Sequence, residues 1–204
     1  MVLRFPYLTQ DIKTAPTLKI PRADDKGFYE FKAYSFGELG SYMSYELIHE
    51  ISEGLTKSVR RHFPDFDVVA GISYGGRWGF LIAYNLEKDY VQFWSTYGYR
   101  RCFLKALADS GLYKFVKVTS AYDKKIFCYH CKSFKMIKEN NEKVLVVDDV
   151  ISSGKTLDTI LNELINKLDV KVVGTQAILA KSDDYKKLEE KWGMPIKFLK
   201  KVRR

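Results

Sequence analysis

Cysteine is scarce in this chain of 204 residues. There are three, an odd number, which argues against a disulfide framework. No apolar run is long enough to span a bilayer. The first ten residues, MVLRFPYLTQ, lack the apolar core of a signal peptide, so a cytoplasmic protein with no membrane contact is expected. Internal repeats and low-complexity linkers are also missing, which leaves one folded unit. Acidic residues are outnumbered: 25 Asp and Glu face 34 Lys and Arg, a formal charge of +9. Such a balance favours an anionic partner, either nucleic acid or a substrate carrying several phosphates. Many of the lysines, such as Lys186, Lys187, Lys200 and Lys201, read as solvated surface. What remains is 46% hydrophobic and 29% charged, ordinary for a globular domain with a real core.

The most informative stretch is Val144 to Thr156, VLVVDDVISSGKT. Val144–Val147 is a short apolar run rich in β-branched residues, which predicts a strand buried on both faces. Two adjacent carboxylates follow, Asp148 and Asp149. After Val150 and Ile151 come Ser152, Ser153, Gly154, Lys155 and Thr156, rich in hydroxyls and backbone donors. Leu157, Ile160, Leu161, Leu164, Ile165 and Leu168 then fall on one helical face. A tight loop feeding a helix N-terminus is an anion site, because free N–H groups and the helix dipole point to one place. Gly154-Lys155-Thr156 also looks like the end of a Walker A loop. That loop needs a glycine five positions before its second glycine, and Asp149 stands there. The better reading is a sugar phosphate site: the loop takes the phosphate and the carboxylates hold the ribose hydroxyls.

A second strand–loop–helix unit lies upstream. Phe66–Ile72 predicts a strand, Ser73-Tyr74-Gly75-Gly76-Arg77 a glycine-containing turn, and Phe80, Leu81, Ala83, Tyr84 and Leu86 a helix. Two such loops at the carboxyl ends of strands in one parallel sheet would face each other across a ligand crevice. Before this unit, Tyr45, Ile48, Ile51, Leu55 and Val59 predict a helix running from about Gly40 to Pro64, and residues 1–25 read as an extended arm. Lys26–Lys32 reads as an edge strand, Tyr90–Trp94 as a further central strand, and residues 102–111 as a short helix ending at Gly111. Phe115–Thr119 and Lys125–Tyr129 alternate and predict a β-hairpin. Val170–Ala180 predicts another strand. A short helix marked by Tyr185, Leu188 and Trp192 follows, then a last strand, Ile196–Leu199. Cys128 and Cys131 have the spacing of half a zinc site, with Cys102 as a distant extra ligand. A structural zinc ordinarily needs two such pairs, so these residues read as part of the hairpin.

Val144–Thr156 resembles the 13-residue signature of type I phosphoribosyltransferases, which bind phosphoribosyl pyrophosphate (PRPP). The resemblance covers roughly residues 26–94 and 143–202, and in outline is closest to the orotate phosphoribosyltransferases. It implies an α/β fold: a mainly parallel central sheet with helices on both faces and a small hood. The chain would be one domain, 1–204, with residues 1–35 and the C-terminal tail contributing to the hood, and 112–135 forming a hairpin or mobile loop. The resemblance further implies Mg²⁺, PRPP and a nucleobase as ligands, and a homodimer. Nucleic acid is then not an expected partner. Ser152–Thr156 would bind the 5′-phosphate, Ser73–Arg77 the pyrophosphate, and Asp148 and Asp149 the ribose hydroxyls and Mg²⁺, directly or through water. Phe28, Tyr29 and Lys181 would meet the base, with Lys26 near a phosphate. Lys124, Lys125, His130 and Lys132 are the loop candidates. Orotate is the first expectation for the base and a purine the alternative. The chain departs from the orotate pattern in two places: Ser95–Arg101 replaces an Arg-Lys-Glu cluster, with Arg100 and Arg101 the nearest substitutes, and Ala180-Lys181 replaces Asp-Arg. A PRPP-sensing regulator without transfer activity, using the positive charge to bind nucleic acid, is the other class left open.

Overall fold

The structure, a computed structural model, describes residues 4–21, 27–37, 42–96, 101–119 and 124–202. Lys26, Gly40, Tyr97–Arg100 and the hairpin tip at 120–123 lie outside the described residues, as do the side chains of Tyr29, Arg101 and Lys124. In chain order the elements are α1 (Pro6–Thr14), β1 (Thr17–Pro21), β2 (Phe28–Lys32), α2 (Tyr45–His62), β3 (Val68–Ile72), α3 (Gly76–Leu86), β4 (Asp89–Ser95) and α4 (Arg101–Asp109). Then come β5 (Tyr113–Thr119), β6 (Lys124–His130), α5 (Cys131–Glu139), β7 (Lys143–Ile151), α6 (Lys155–Asn162), β8 (Lys171–Ala180), α7 (Asp184–Trp192) and β9 (Ile196–Lys201).

The seven-stranded sheet has the order β5-β6-β4-β3-β7-β8-β9. Strands β4, β3, β7, β8 and β9 are parallel, and the β5–β6 hairpin joins antiparallel at the β4 edge. Alternation along the central strands sends successive side chains to opposite faces. Val68, Ala70, Val144 and Val146 pack with Phe134 of α5 and Leu157, Ile160 and Leu161 of α6. Val69, Leu145 and Val147 pack with Leu8 of α1, Ile51 and Leu55 of α2, and Trp78 and Ile82 of α3. Helices therefore cover both faces, as expected. Each fully buried aliphatic or aromatic side chain here contributes about 1.5–3 kcal/mol. Among the described residues no helix is long and apolar enough to cross a membrane.

Several expectations need correction. The N-terminal arm is not simply extended. Pro6 opens α1, and Leu8 and Ile12, one turn apart, are buried against α2. The Glu50 carboxylate of α2 accepts the backbone N–H groups of Tyr7 (3.2 Å) and Leu8 (2.7 Å), satisfying donors that a helix start leaves open. Helix α2 starts at Tyr45, where the Ser44 side chain caps the Leu47 N–H. Its buried stripe is Leu47, Ile51, Leu55 and Val59, while Tyr45 is exposed. β1 pairs antiparallel with β2 as a separate two-stranded sheet. The C-terminal tail belongs to the central sheet rather than to a hood, because β9 pairs along β8. Cys131–Lys135, assigned to the hairpin, form the start of α5, which buries Phe134 and Ile137.

Candidate active site

Strand β7 is longer than its apolar run. Asp148 pairs with Ala177 and Val150 with Leu179, so the acid pair sits inside the ladder. Alternation turns Asp148 toward the α6 face and Asp149 toward the α3 face. Asp148 is buried, and its Oδ1 accepts the Asp149 N–H at 2.9 Å. Asp149 Oδ1 accepts the Val150 N–H at 2.7 Å. Burial pushes Asp148 well above the ordinary carboxylate range, and the neighbouring Asp149 adds to it. Burial also raises Asp149. The Lys125 ammonium on β6 opposes both shifts. The sheet thus gathers negative charge at one point at a solvation cost, and a cationic ligand placed there would relieve it.

The phosphate loop follows directly. Gly154 has φ +74°, the left-handed conformation that lets the chain turn into α6 at Lys155. A Cβ there would lie 2.7 Å from Leu188 Cδ1 of α7. No side chain caps the N-terminus of α6, so its first N–H groups face the loop. α6 ends in a π-helical turn at Glu163–Lys167, which carries part of the stripe predicted for one continuous helix. Asp158 in the first turn of α6 is tied to α7 by Trp192 Nε1 (2.8 Å) and Lys191 Nζ (2.7 Å).

The glycine-containing turn leaves β3, the strand beside β7, so both loops emerge at the same end of the sheet. Ser73 has φ +48°, and Ser73–Gly75 forms a single 3₁₀ turn before α3 begins at Gly76. A serine held there stores of order 1–3 kcal/mol of strain. β4 holds it in place: Gln92 Nε2 donates to Ser73 O (3.0 Å) and the Tyr90 hydroxyl to Gly76 O (2.7 Å). Gly75 presses on the acid pair, since a Cβ there would lie 2.6 Å from Asp149 N and 2.7 Å from Asp148 Cα. Arg77 belongs to the first turn of α3, not to the loop. With Ser73 and Tyr74 it edges a cleft of about 880 Å³ walled by Phe80, Leu81 and Trp94.

The remaining candidates divide. Phe28 is 68% exposed on β2, in the separate two-stranded sheet. Lys181 is placed better. Its backbone N–H bonds Ile151 O at the end of β7, and its ammonium lies 4.7 Å from the centre of the Tyr34 ring. Tyr34 stacks on Phe36 with ring centres 5.2 Å apart. Phe36 O accepts Trp78 Nε1 (3.0 Å), and a Cβ on Gly37 would lie 3.3 Å from Asp149 Oδ2. Segment 34–37, which sequence reasoning passed over, therefore buries Tyr34 and Phe36 in the core and brings Gly37 against Asp149. The alternation of Tyr34 and Phe36 is the signal that could have found it. His130 ends β6, and the strand rise puts it roughly 20 Å from Lys124. There its Nδ1 meets Ser133 Oγ at 3.1 Å, so it is not at the hairpin tip. Lys132 lies in α5. Cys102 is exposed on α4, Cys128 is buried in β6 and Cys131 starts α5. Among the described residues no cluster of three or more metal-ligating side chains occurs.

Residues 117–199 match the phosphoribosyl transferase domain family. That match takes in the acid pair, the phosphate loop, Lys181 and strands β6 to β9. A hypoxanthine/guanine phosphoribosyltransferase of Methanocaldococcus vulcanius is 36% identical over 64 residues, 31% of this chain. One from Methanothermus fervidus is 35% identical over 63 residues. The chain spans about a third of the length of these curated relatives, 34% and 33%. Solved structures of adenine phosphoribosyltransferases share the fold over nearly the whole chain. The Thermoanaerobacter pseudethanolicus protein aligns with TM-score 0.63 and 19% identity, covering 96% of this chain and 99% of that one. The Trypanosoma brucei protein, in complex with AMP, pyrophosphate and ribose-5-phosphate, gives 0.65 and 16%, covering 96% and 79%. The fold is thus the type I phosphoribosyltransferase fold. Orotate enzymes are not among these relatives, and the comparisons favour the purine alternative.

Proposed function

We propose that the chain is a PRPP-dependent pentosyltransferase that joins a purine base to ribose 5-phosphate and releases pyrophosphate. The observation that carries this reading is the Asp148–Asp149 pair, with Asp148 buried and Asp149 partly so, at the end of β7 beside the turn that leaves the adjacent parallel strand β3. Ser152–Thr156 would hold the 5′-phosphate and Ser73–Arg77 the leaving pyrophosphate. The two carboxylates would take the ribose hydroxyls and stabilise positive charge on the ring as the bond from C1 to pyrophosphate breaks and the bond to the base nitrogen forms. Two carboxylates without further ligands suit Mg²⁺, which keeps several waters and binds through one or two carboxylates plus substrate phosphates. When bound it would neutralise the leaving pyrophosphate. Lys125 would face the site from the β6 side.

Lys181 selects among purines. An ammonium only donates hydrogen bonds. Held 4.7 Å from the centre of the buried Tyr34 ring, it matches a ring carbonyl, not an exocyclic amine, so hypoxanthine or guanine is favoured over adenine. The names of the curated relatives agree. A second copy is the proposed partner. Phe80 (53%) and Trp94 (42%), which line the cleft, and Tyr84 (76%) and Tyr45 (74%) on α3 and α2 leave aromatic surface exposed. At about 150–250 Å² per aromatic side chain, that is about 500 Å². It is a large share of the roughly 800 Å² a stable interface buries per partner. The free cysteines suit a reducing cytoplasm. The test of substrate is pyrophosphate release from PRPP with hypoxanthine, guanine, adenine, xanthine and orotate in turn. Release with the first two supports the assignment. Release with adenine or orotate alone would overturn the role given to Lys181.

A further inference from the structure

We infer that Ser182 is a positioning residue that sets the orientation of the phosphate loop. This inference rests on the function proposed for that loop. Strands β7 and β8 run side by side to their ends, where Lys181 N–H bonds Ile151 O at 2.8 Å as the last backbone link. Beyond it the two chains part, β7 into the phosphate loop and β8 into α7. Ser182 continues the ladder with its side chain: its Oγ donates to Ser152 O at 2.7 Å. The same Oγ accepts the Asp184 N–H at 3.2 Å at the start of α7, which fixes the hydroxyl from behind.

The consequence follows from peptide geometry. Ser152 C=O and Ser153 N–H belong to one planar trans peptide and point in opposite directions. Drawing the carbonyl toward Ser182 turns the Ser153 N–H the other way, into the loop where the anion is expected. Further along the chain, Gly154 sits against Leu188 of α7, so Ser182 and α7 support the loop from outside at Ser152 and Gly154. The hydroxyl has one proton and a competing acceptor, Asp184 Oδ2 at 2.9 Å, so its hold on the peptide is a single bond of ordinary strength. Ser182 touches no substrate. It would act on the 5′-phosphate through the Ser152–Ser153 peptide, and its hydrogen bonds run to Ser152 and Asp184 rather than to the pyrophosphate loop.

The test is calorimetric titration of ribose 5-phosphate and, separately, Mg²⁺-pyrophosphate into the wild-type chain, Ser182→Ala and Ser182→Thr. Losing one neutral hydrogen bond that orients a donor should raise the Kd for ribose 5-phosphate roughly three- to tenfold in Ser182→Ala. The Kd for Mg²⁺-pyrophosphate should not change, and Ser182→Thr should bind both ligands as the wild type does. If Ser182→Ala fails to fold, Ser182→Cys, with a weaker donor, replaces it and should give an intermediate rise. An unchanged Kd for ribose 5-phosphate, or an equal loss for both ligands, overturns the inference while leaving the function standing. Failure of the wild type to bind ribose 5-phosphate overturns the function and this inference with it.

Discussion

Gly75→Ala is the sharpest steric probe of the site. Its φ is −60°, so alanine brings no backbone strain of its own. The added Cβ would lie 2.6 Å from Asp149 N and 2.7 Å from Asp148 C and Cα. All three are backbone atoms of the central strand, held by pairing to β3 and β8, and cannot swing away as a side chain would. Reaching an ordinary contact of 3.4 Å requires the turn to retreat by about 0.8 Å. Overpacking of this kind costs about 1–3 kcal/mol, roughly 3–10 °C in Tm for a domain of this size. The functional cost should be larger. A misplacement near 1 Å can lower rates by about 100-fold, and here the pyrophosphate loop moves relative to the carboxylates. We expect kcat/KM for PRPP to fall by roughly 10- to 100-fold, with the secondary structure unchanged by circular dichroism. Gly111→Ala is the control: its φ of +67° costs some stability, but nothing lies within 4 Å of the new Cβ, so activity should hold. A Gly75→Ala protein with wild-type stability and turnover would refute the close packing of turn on strand.

Three further outcomes are expected. Asp148 has a folded-state pKa raised above its ordinary value of 3.8, so the native state holds more protons than the unfolded chain and stability falls as pH rises through that raised value. Asp148→Asn removes this loss. In ligand-free thermal melts it should therefore gain on the wild type as pH rises from about 4 to 8, and a gap that shrinks would contradict the sign. Lys181→Ala should lose roughly tenfold or more in kcat/KM for hypoxanthine and guanine but change little for adenine, shown by competing bases in one reaction. Trp78→Phe leaves the Phe36 carbonyl without its buried donor, at about 1–3 kcal/mol in urea melts. Because that carbonyl holds segment 34–37, KM for the base should rise more than KM for PRPP.

The parts of the site legible in the sequence were those whose chemistry is local. Adjacent carboxylates after an apolar strand and a glycine before a helical stripe carry their meaning within a few residues, and the structure places both on β7 and α6. The β5–β6 hairpin was readable from alternation alone. Helix α1 was not, because only Leu8 and Ile12 mark its buried face and no period emerges from two residues. α5 was hidden for the same reason, with Phe134 and Ile137 its only fully buried residues. The contacts that finish the site escaped because they join distant parts of the chain: Tyr34 with Lys181, Phe36 with Trp78, and Ser182 with Ser152. The expectation of orotate rested on the outline of the two ends of the chain, which reports the fold rather than the base.

Binding of PRPP with Mg²⁺ to the wild-type chain and to the Asp148→Asn, Asp149→Asn double variant, followed by titration calorimetry, tests the central claim most directly. The account predicts binding by the wild type in the micromolar to millimolar range usual for enzyme substrates. It also predicts a loss of at least about 100-fold in the double variant, consistent with removing two charged hydrogen-bonding groups at about 1.5–3 kcal/mol each. Equal affinity in the two proteins, or no binding of PRPP by the wild type, would contradict it.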